Sequence, residues 1–433
     1  MKTNPKEIRV CLDIGSVKHY VVIGLPTGEI LEEFPMEHNP KGIKELFARI
    51  AKQSEKYQIP VSVAMEAYNG YARPIDQMVL DKNYRLFNVN NHKLARYKEI
   101  FPGPSKSDPV DARAILELFN MKEDSRISKN ALQEIFKTPE INEQLKRFTR
   151  TRRQLINDKV RLSNRMHADL QAVAPGLLEI TGNIANRWFL NFLTSRNEIQ
   201  KLEFLHLKTL LKIKRVGKGY AAKIQEWQKS ALFSSAVEDI GEFILKDAAR
   251  LIRLIEEIVD LEKRIDKMCK KSETASRLQS IQGFGPICSG ELAGEIGTET
   301  RFRSEASLAL YLGVAVVDKK SGKFDGSKTP YQVNPRAKSA MITAMARHID
   351  ESSEAKRYYD KKRSEGKKHN QALRCLARHM VRVIWSMLRD GRDYEIREVE
   401  TSQKVVIEQN QESTFIEPTD KHQKRVLQEQ VVA

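Results

Sequence analysis

The stretch IRVCLDIGSVKHYVVIGLPTGEILEEFPM, residues 8–36, sets the reading of the N-terminal fold. IRVCLDIG is an apolar strand ending at Asp13 and Gly15, YVVIGL is a second, TGEI is a turn signal and LEEFPM is a third. Short apolar runs separated by turn signals predict a three-strand meander. Side chains alternate along a strand, so Ile8, Val10 and Leu12 share one face while Arg9, Cys11 and Asp13 share the other. Residues 41–57 then read as a helix with Ile43, Leu46, Phe47 and Ile50 on one side. PVSVAMEAY is a further strand that stops at Glu66, with Val61, Val63 and Met65 on one face and Ser62, Ala64 and Glu66 on the other. A helix over 71–82 and a strand at YRLFNVN follow. Strands alternating with helices predict an α/β domain with a partly parallel sheet over residues 1–125. Asp13 and Glu66 each end a strand, at the edge where open α/β sheets bind ligands.

The stretch PSKSDPVDARAILELF, residues 104–119, adds two more carboxylates. Asp108 reads as a helix N-cap, Pro109 suits the first helical position, and Asp111 at the third favours the positive end of the helix. Ile115, Leu116 and Phe119 recur at helical spacing. Residues three apart on a helix are neighbours, so Asp108 and Asp111 can also face one common point. Four converging carboxylates repel one another unless a cation neutralises them. Hard divalent ions such as Mg²⁺ or Mn²⁺ take such oxygen ligands, and a metal pair can clamp the attacking and leaving oxygens of a phosphodiester. Capping and metal-assisted chemistry are both open on these residues alone.

Residues 126–275 change character. Leu145, Phe148, Leu155, Leu162, Met166, Leu170 and Val173 follow a near-heptad spacing, interrupted at Arg152 and Lys159. A second long helical segment carries Ile240, Leu251, Ile255, Ile258, Leu261, Ile265 and Met268. Two long amphipathic helices predict an antiparallel hairpin, a dimeric coiled coil or an ordinary bundle. Residues 276–395 form another, mainly helical unit, and 396–433 read as a polar, disordered tail.

The third unit opens with SRLQSIQGFGPICSGELAGEIG, in which Gly283 and Gly285 precede a small-residue helix. This start is like a helix-hairpin-helix, which grips a nucleic-acid backbone without reading bases. VVDKKSGKFDGSKTP, residues 316–330, reads as a basic loop holding Ser321 and Ser327. Lys319, Lys320 and Lys323 there can stabilise a charged transition state if a serine attacks a phosphodiester. AKRYYDKKRSEGKKHNQALR contains Arg357, Tyr358, Tyr359, Lys361, Lys362 and Arg363, a candidate backbone-binding patch with stacking aromatics.

Composition narrows the function class. The chain of 433 residues carries 74 Lys plus Arg against 57 Asp plus Glu, a net charge of +17, which points to a polyanionic partner. The four cysteines are scattered without a CxxC pair, against a zinc site or a disulfide framework and consistent with a reducing cytoplasm. MKTNPKEIRV lacks an apolar signal-peptide core, and no apolar run approaches the length of a membrane span. The expected location is therefore the cytoplasm, associated with the nucleoid.

Six segments, LDIGSVKHYVVI, AMEAYNGYARPI, KSDPVDARAI, LQSIQGFGPI, FRSEASLALYLGV and YYDKKRSEGKKHNQALRCLARHMVRVIW, occur here in an order that resembles one family. It is the DEDD insertion-sequence transposases of the "one-ten" insertion-sequence family, which includes the RNA-guided bridge recombinases. The resemblance implies a RuvC-like, ribonuclease-H-type N-terminal domain with Asp13, Glu66, Asp108 and Asp111 as its acidic, metal-binding quartet. It implies a helical coiled-coil middle region for assembly as a dimer or tetramer, and a mainly α C-terminal transposase domain. In that domain a nucleophilic serine, best matched by Ser321, forms a phosphoserine link to DNA. The partners implied are double-stranded DNA, at element ends and target, and a structured guide RNA. The sequence departs from the family where SGKFDGSKTPYQVNPRAKSAM lacks the usual second glycine, so Ser327 is a second choice for the nucleophile. Three other readings compete, one of them a non-enzymatic, inactive nucleic-acid-binding relic. LDIGSVKHYVVIGLPTGEILEE also looks like the first phosphate loop of actin-like and sugar-kinase phosphotransferases, though no second phosphate motif follows. A junction nuclease using metal-bound water would need the acidic quartet but no serine.

Overall fold

The computed structural model describes residues 6–66, 70–99, 108–121, 131–321, 324–328 and 333–396, with 317–328 described by backbone alone. The N-terminal elements are β1 (Ile8–Ile14), β2 (Lys18–Gly24), β3 (Ile30–Glu37), α1 (Pro40–Tyr57), β4 (Val61–Met65), α2 (Arg73–Asp81), β5 (Arg85–Val89), α3 (Asn91–Lys98), α4 (Asp108–Asn120) and β6 (Leu132–Ile135). The six strands form one mixed sheet in the order β3-β2-β1-β4-β5-β6. β1, β2 and β3 are the expected antiparallel meander, while β4 runs parallel to both β1 and β5.

The alternation within β1 and β4 sorts their side chains onto two cores. Ile8, Val10, Leu12, Val61, Val63 and Met65 pack with Leu46, Phe47 and Ile50 of α1 and Ile75 and Val79 of α2. Cys11 and Ala64 face the opposite side, against Leu94 and Tyr97 of α3 and Ala112, Ile115, Leu116 and Phe119 of α4. Period-2 strands covered on both faces by helices make a three-layer α/β domain.

Two elements depart from the sequence reading. β6 lies past residue 125, within the segment read as helical, and pairs antiparallel with β5. Its four residues are too short to show a period. α3 is likewise a short polar helix, started by Asn90, whose side chain accepts from the N–H of Lys93.

The remaining elements are α5 (Glu140–Val173), α6 (Arg187–Leu193), α7 (Leu207–Leu210), α8 (Lys218–Gln228), α9 (Val237–Cys269), α10 (Glu273–Gln279), α11 (Pro286–Ile296), α12 (Glu305–Tyr311), β7 (Val317–Ser321), β8 (Phe324–Lys328), α13 (Pro335–Glu351), α14 (Ser353–Ser364) and α15 (His369–Asp390). α5 and α9 pack along each other within the chain. Arg152 pairs with Glu262, whereas Arg165, further along α5, pairs with Asp247, earlier in α9, so the two helices run antiparallel. Residues between them form a helical cap whose core includes Trp188, Phe189, Phe192 and Trp227.

α11 is buried against α5, and its small residues make that approach possible. A Cβ on Gly294 would lie 2.5 Å from the backbone nitrogen of Lys146. The same interface buries two carboxylates on matched arginines: Glu295 receives Arg150 at 2.7 and 2.8 Å, and Glu291 receives Arg153 at 2.8 and 2.7 Å. Bidentate pairs of this kind satisfy a buried carboxylate that would otherwise be costly. Gly294→Ala is therefore expected to destabilise the chain by about 1–3 kcal/mol through overpacking, read as a lower midpoint in chemical denaturation. A midpoint equal to wild type would show that α5 yields freely at this contact.

Candidate active site

The acidic site begins with a buried arginine. Arg9 on β1 donates through Nη1 to the carbonyl of Phe119 at 3.1 Å and to Asn120 Oδ1 at 2.8 Å, and its Nε reaches Glu7 at 3.0 Å. A cation at a helix C-terminus offsets the negative end of the helix. Arg9 thereby ties the C-terminal end of α4 to the start of β1. Because α4 lies along β1, its first turn, which carries Asp108 and Asp111, falls toward the other end of the strand, where Asp13 sits. Asp108 is counted within the helix, and residues 104–107 before it lie outside the described residues.

The negative charges of Glu66, Asp111 and Asp108 all act on Asp13 there. Burial is the main reason that the Asp13 carboxyl is pushed up to about 6, followed by the negative charges of Glu66, Asp111 and Asp108, with Lys98 acting the other way. Lys98, at the end of α3, pairs with Asp111 at 2.7 Å. Tyr97 beside it donates to Glu117 at 3.0 Å, which fastens α3 to α4. The site is thus an all-oxygen, mutually repelling donor set with Lys98 against it. Among the described residues no three acidic, histidine or cysteine side chains are close enough to hold one ion together. The donor chemistry suits a hard divalent cation.

The turn after Asp13 is built tightly. A Cβ on Gly15 would come within 2.3 Å of the Lys18 carbonyl oxygen. The Gly15 N–H donates to His19 Nδ1 at 3.2 Å, and His19 Nε2 lies 2.8 Å from His38 Nδ1. Burial, then His38, pushes His19 down to about 4, so His19 is neutral at pH 7. Neither histidine stood out in the sequence. His19 occupies an ordinary strand position, and its partner is 19 residues away.

The C-terminal candidates fall in several places. Within the segment read as a loop at 316–330, β7 and β8 pair antiparallel, with Ser321 opposite Phe324 at the end of β7 and Ser327 opposite Asp318 within β8. The alternation VDKKS and FDGSK, weak in apolar residues, concealed these strands. Lys319 and Lys320 lie on β7, and Lys323 lies outside the described residues.

Gly283 does not present its backbone openly. It has φ +81°, and a Cβ would lie 2.5 Å from the nitrogen of His348, so its small size serves packing on α13. Gly285 precedes α11 with no atom within 4 Å of a built Cβ. On α14, Arg357, Lys361 and Arg363 are exposed, whereas the tyrosines are engaged internally. Tyr358 stacks on His379 with centroids 5.7 Å apart, and Lys362 sits over its ring and pairs with Glu365 at 2.8 Å. Tyr359 is buried, with its hydroxyl 2.7 Å from His369 Nδ1. Tyr358 and Tyr359 are therefore not the stacking aromatics expected of this patch. Helical phase turns Tyr359 inward, and α15 covers Tyr358. No helix among the described residues is long and apolar enough to cross a membrane.

Residues 10–175 match a family described as a transposase, the DEDD type of IS110, and residues 275–360 match the family described as transposase IS116/IS110/IS902. Together these matches span more than half of the chain. An uncharacterized 44.8 kDa protein of insertion element IS116 from Streptomyces clavuligerus is 25% identical over 399 residues, covering 90% of this chain and 97% of that protein. The corresponding 43.6 kDa protein of IS110 from Streptomyces coelicolor is 25% identical over 396 residues, 89% of this chain and 95% of its own. A 42 kDa protein of IS900 from Mycobacterium paratuberculosis is 23% identical over 391 residues, 88% and 96% respectively.

Proposed function

The chain belongs to the IS116/IS110/IS902 family of transposases, enzymes that cut and recombine DNA, and on that premise we propose that it joins insertion-sequence ends to target DNA through a serine-linked intermediate assisted by metal-bound carboxylates. The observation that carries this reading is that the charges of Glu66, Asp108 and Asp111 all act on Asp13 at the carboxyl edge of the sheet. The strand order, with an antiparallel meander followed by parallel β4 and β5, supports a RuvC-like, ribonuclease-H-type assignment. Carboxylates of this set would hold Mg²⁺ or Mn²⁺, which would supply positive charge to the oxygens of the reacting phosphodiester.

The hydroxyl of Ser321 attacks the DNA phosphorus. The Oγ–P bond forms, the bond from phosphorus to one sugar oxygen breaks, and the freed sugar hydroxyl takes the proton that serine loses. Attack by a hydroxyl of the joining strand then releases the serine. Lys319, Lys320 and Lys323 carry positive charge in the same segment, suited to the extra negative charge of the transition state. In this reading the domains are 1–125, 126–275 and 276–395, followed by a tail at 396–433. The α5–α9 hairpin, with Val160 and Phe243 exposed on it, serves assembly into a dimer or tetramer. The family resemblance supports a guide RNA beside the DNA.

The test incubates the full-length protein with a duplex bearing the element ends, with and without Mg²⁺, and resolves the products under denaturing conditions. A metal-dependent protein–DNA adduct is expected. Metal-dependent cutting with no adduct would favour a water nucleophile and a junction-nuclease reading.

A further inference from the structure

The chain builds one hairpin twice. The copy between α10 and α11 uses Leu278, Ile281, Gly283, Phe284 and Gly285. The copy between α7 and α8 uses Leu210, Ile213, Arg215, Val216 and Gly217 at the same spacing. Their backbone bonds correspond one for one. Ile281 donates to Leu278 at 3.2 Å and Ile213 to Leu210 at 3.0 Å. Phe284 donates to Ile281 and Val216 to Ile213, both at 3.0 Å. Ser289 closes onto Gly285 at 3.0 Å and Ala221 onto Gly217 at 2.9 Å. The third position has positive φ in both, +81° at Gly283 and +70° at Arg215. Leu210, Val216, Ala221 and Ile224 are buried, as are Leu278, Phe284, Ser289 and Leu292.

The outer surfaces differ. The α10–α11 turn is covered by α13 at Gly283, whereas Gly217 and Gly219 have no atom within 4 Å of a built Cβ. Lys208, Lys212, Lys214, Arg215, Lys218 and Lys223 are all exposed, and no acidic residue occurs between Glu203 and Glu226. None of these six cations forms an ion pair among the described residues. The flanking Lys201 and Lys229, by contrast, are paired with Glu198 and Glu226. An arginine holds the left-handed position where glycine fits without strain, so a cation is kept there against backbone preference.

We propose that the α7–α8 hairpin is a second nucleic-acid contact that grips the sugar–phosphate backbone of duplex DNA without reading bases. Uncompensated cations around an open turn complement the phosphate charge, which supplies most sequence-independent binding. The proposal rests on the reading of the chain as a DNA-handling enzyme.

The test measures equilibrium binding of the full-length protein to a labelled duplex of arbitrary sequence across a salt series. The triple variant Lys212→Gln, Lys214→Gln, Lys218→Gln is expected to bind roughly tenfold more weakly or worse at about 0.1 M salt, with a salt slope shallower by about two to three. Gly219→Asp separates binding from folding. α8 has no acidic residue in its first turn, so an aspartate there favours the helix and holds or raises the melting temperature. It nevertheless puts a negative charge beside the turn and is expected to weaken duplex binding severalfold. Unchanged binding in both variants overturns the proposal while leaving the acidic-site reading intact. A wild-type protein that binds no duplex overturns both. Weakened binding of single-stranded RNA alone, with duplex binding unchanged, overturns the assignment to DNA.

Discussion

Asp111→Asn is expected to reduce strand exchange by at least about a hundredfold while the protein keeps its fold, the scale associated with losing one preorganised electrostatic group. Asparagine is tolerated near a helix start. The substituted amide still offers an oxygen to Lys98, so the loss of the 2.7 Å ion pair costs at most about 1 kcal/mol at this partly exposed site. The negative charge is what disappears. With it goes one of the charges that push Asp13 up to about 6 and one oxygen ligand suited to a divalent ion. A thermal melt followed by circular dichroism, beside a strand-exchange assay in Mg²⁺, separates the two effects. An unchanged melt with exchange at wild-type rate would mean that Asp111 serves only to begin α4 and hold Lys98. Asp13→Asn is expected to give a similar loss, because it removes the carboxylate at the centre of the repulsive set.

Ser321→Ala is expected to eliminate the covalent protein–DNA adduct, and Ser327→Ala to leave it. Both serines lie on the same strand pair, but not equivalently. Ser321 ends β7, opposite Phe324, whereas Ser327 is paired with Asp318 further from that end. A residue at the strand end suits attack on a bound backbone, and alanine removes only the hydroxyl. The adduct is read on a denaturing gel after incubation with end-bearing duplex. Adduct loss in Ser327→Ala with retention in Ser321→Ala would exchange their roles. Cutting by both variants, with no adduct in either of them or in the wild type, would remove the serine from the chemistry altogether.

The strand ends carrying Asp13 and Glu66 were legible because period-2 alternation is a local property. The helix start at Asp108 and Asp111 was legible because proline and carboxylates favour the first turn of a helix. What the alternation left unexplained was Arg9, a charge on a strand between two apolar cores. Besides the nearby Glu7, its partners include Phe119 and Asn120, more than a hundred residues away, and those contacts tie the C-terminal end of α4 to β1. β6 has no local signature for a similar reason, since four residues carry no period and its assignment depends on pairing with β5.

The glycines show the same division. A Gly-x-Gly before a helix marks a hairpin from sequence alone, but whether its face is open is decided by what packs on it. α13 closes Gly283, while nothing lies near a Cβ built on Gly217 or Gly219. The α7–α8 copy carries no such sequence signal, because Arg215 stands where its counterpart has glycine, and only the backbone angle reveals the match. By itself, then, the sequence determined the α/β start, the four carboxylates and the long amphipathic helices, all of which are written in short-range periodicity and capping chemistry. Only the tertiary structure decided that Glu66, Asp108 and Asp111 act on Asp13, that α5 and α9 pair within one chain, and which basic hairpin stays exposed. Those outcomes depend on burial and charge pairing between segments far apart along the chain.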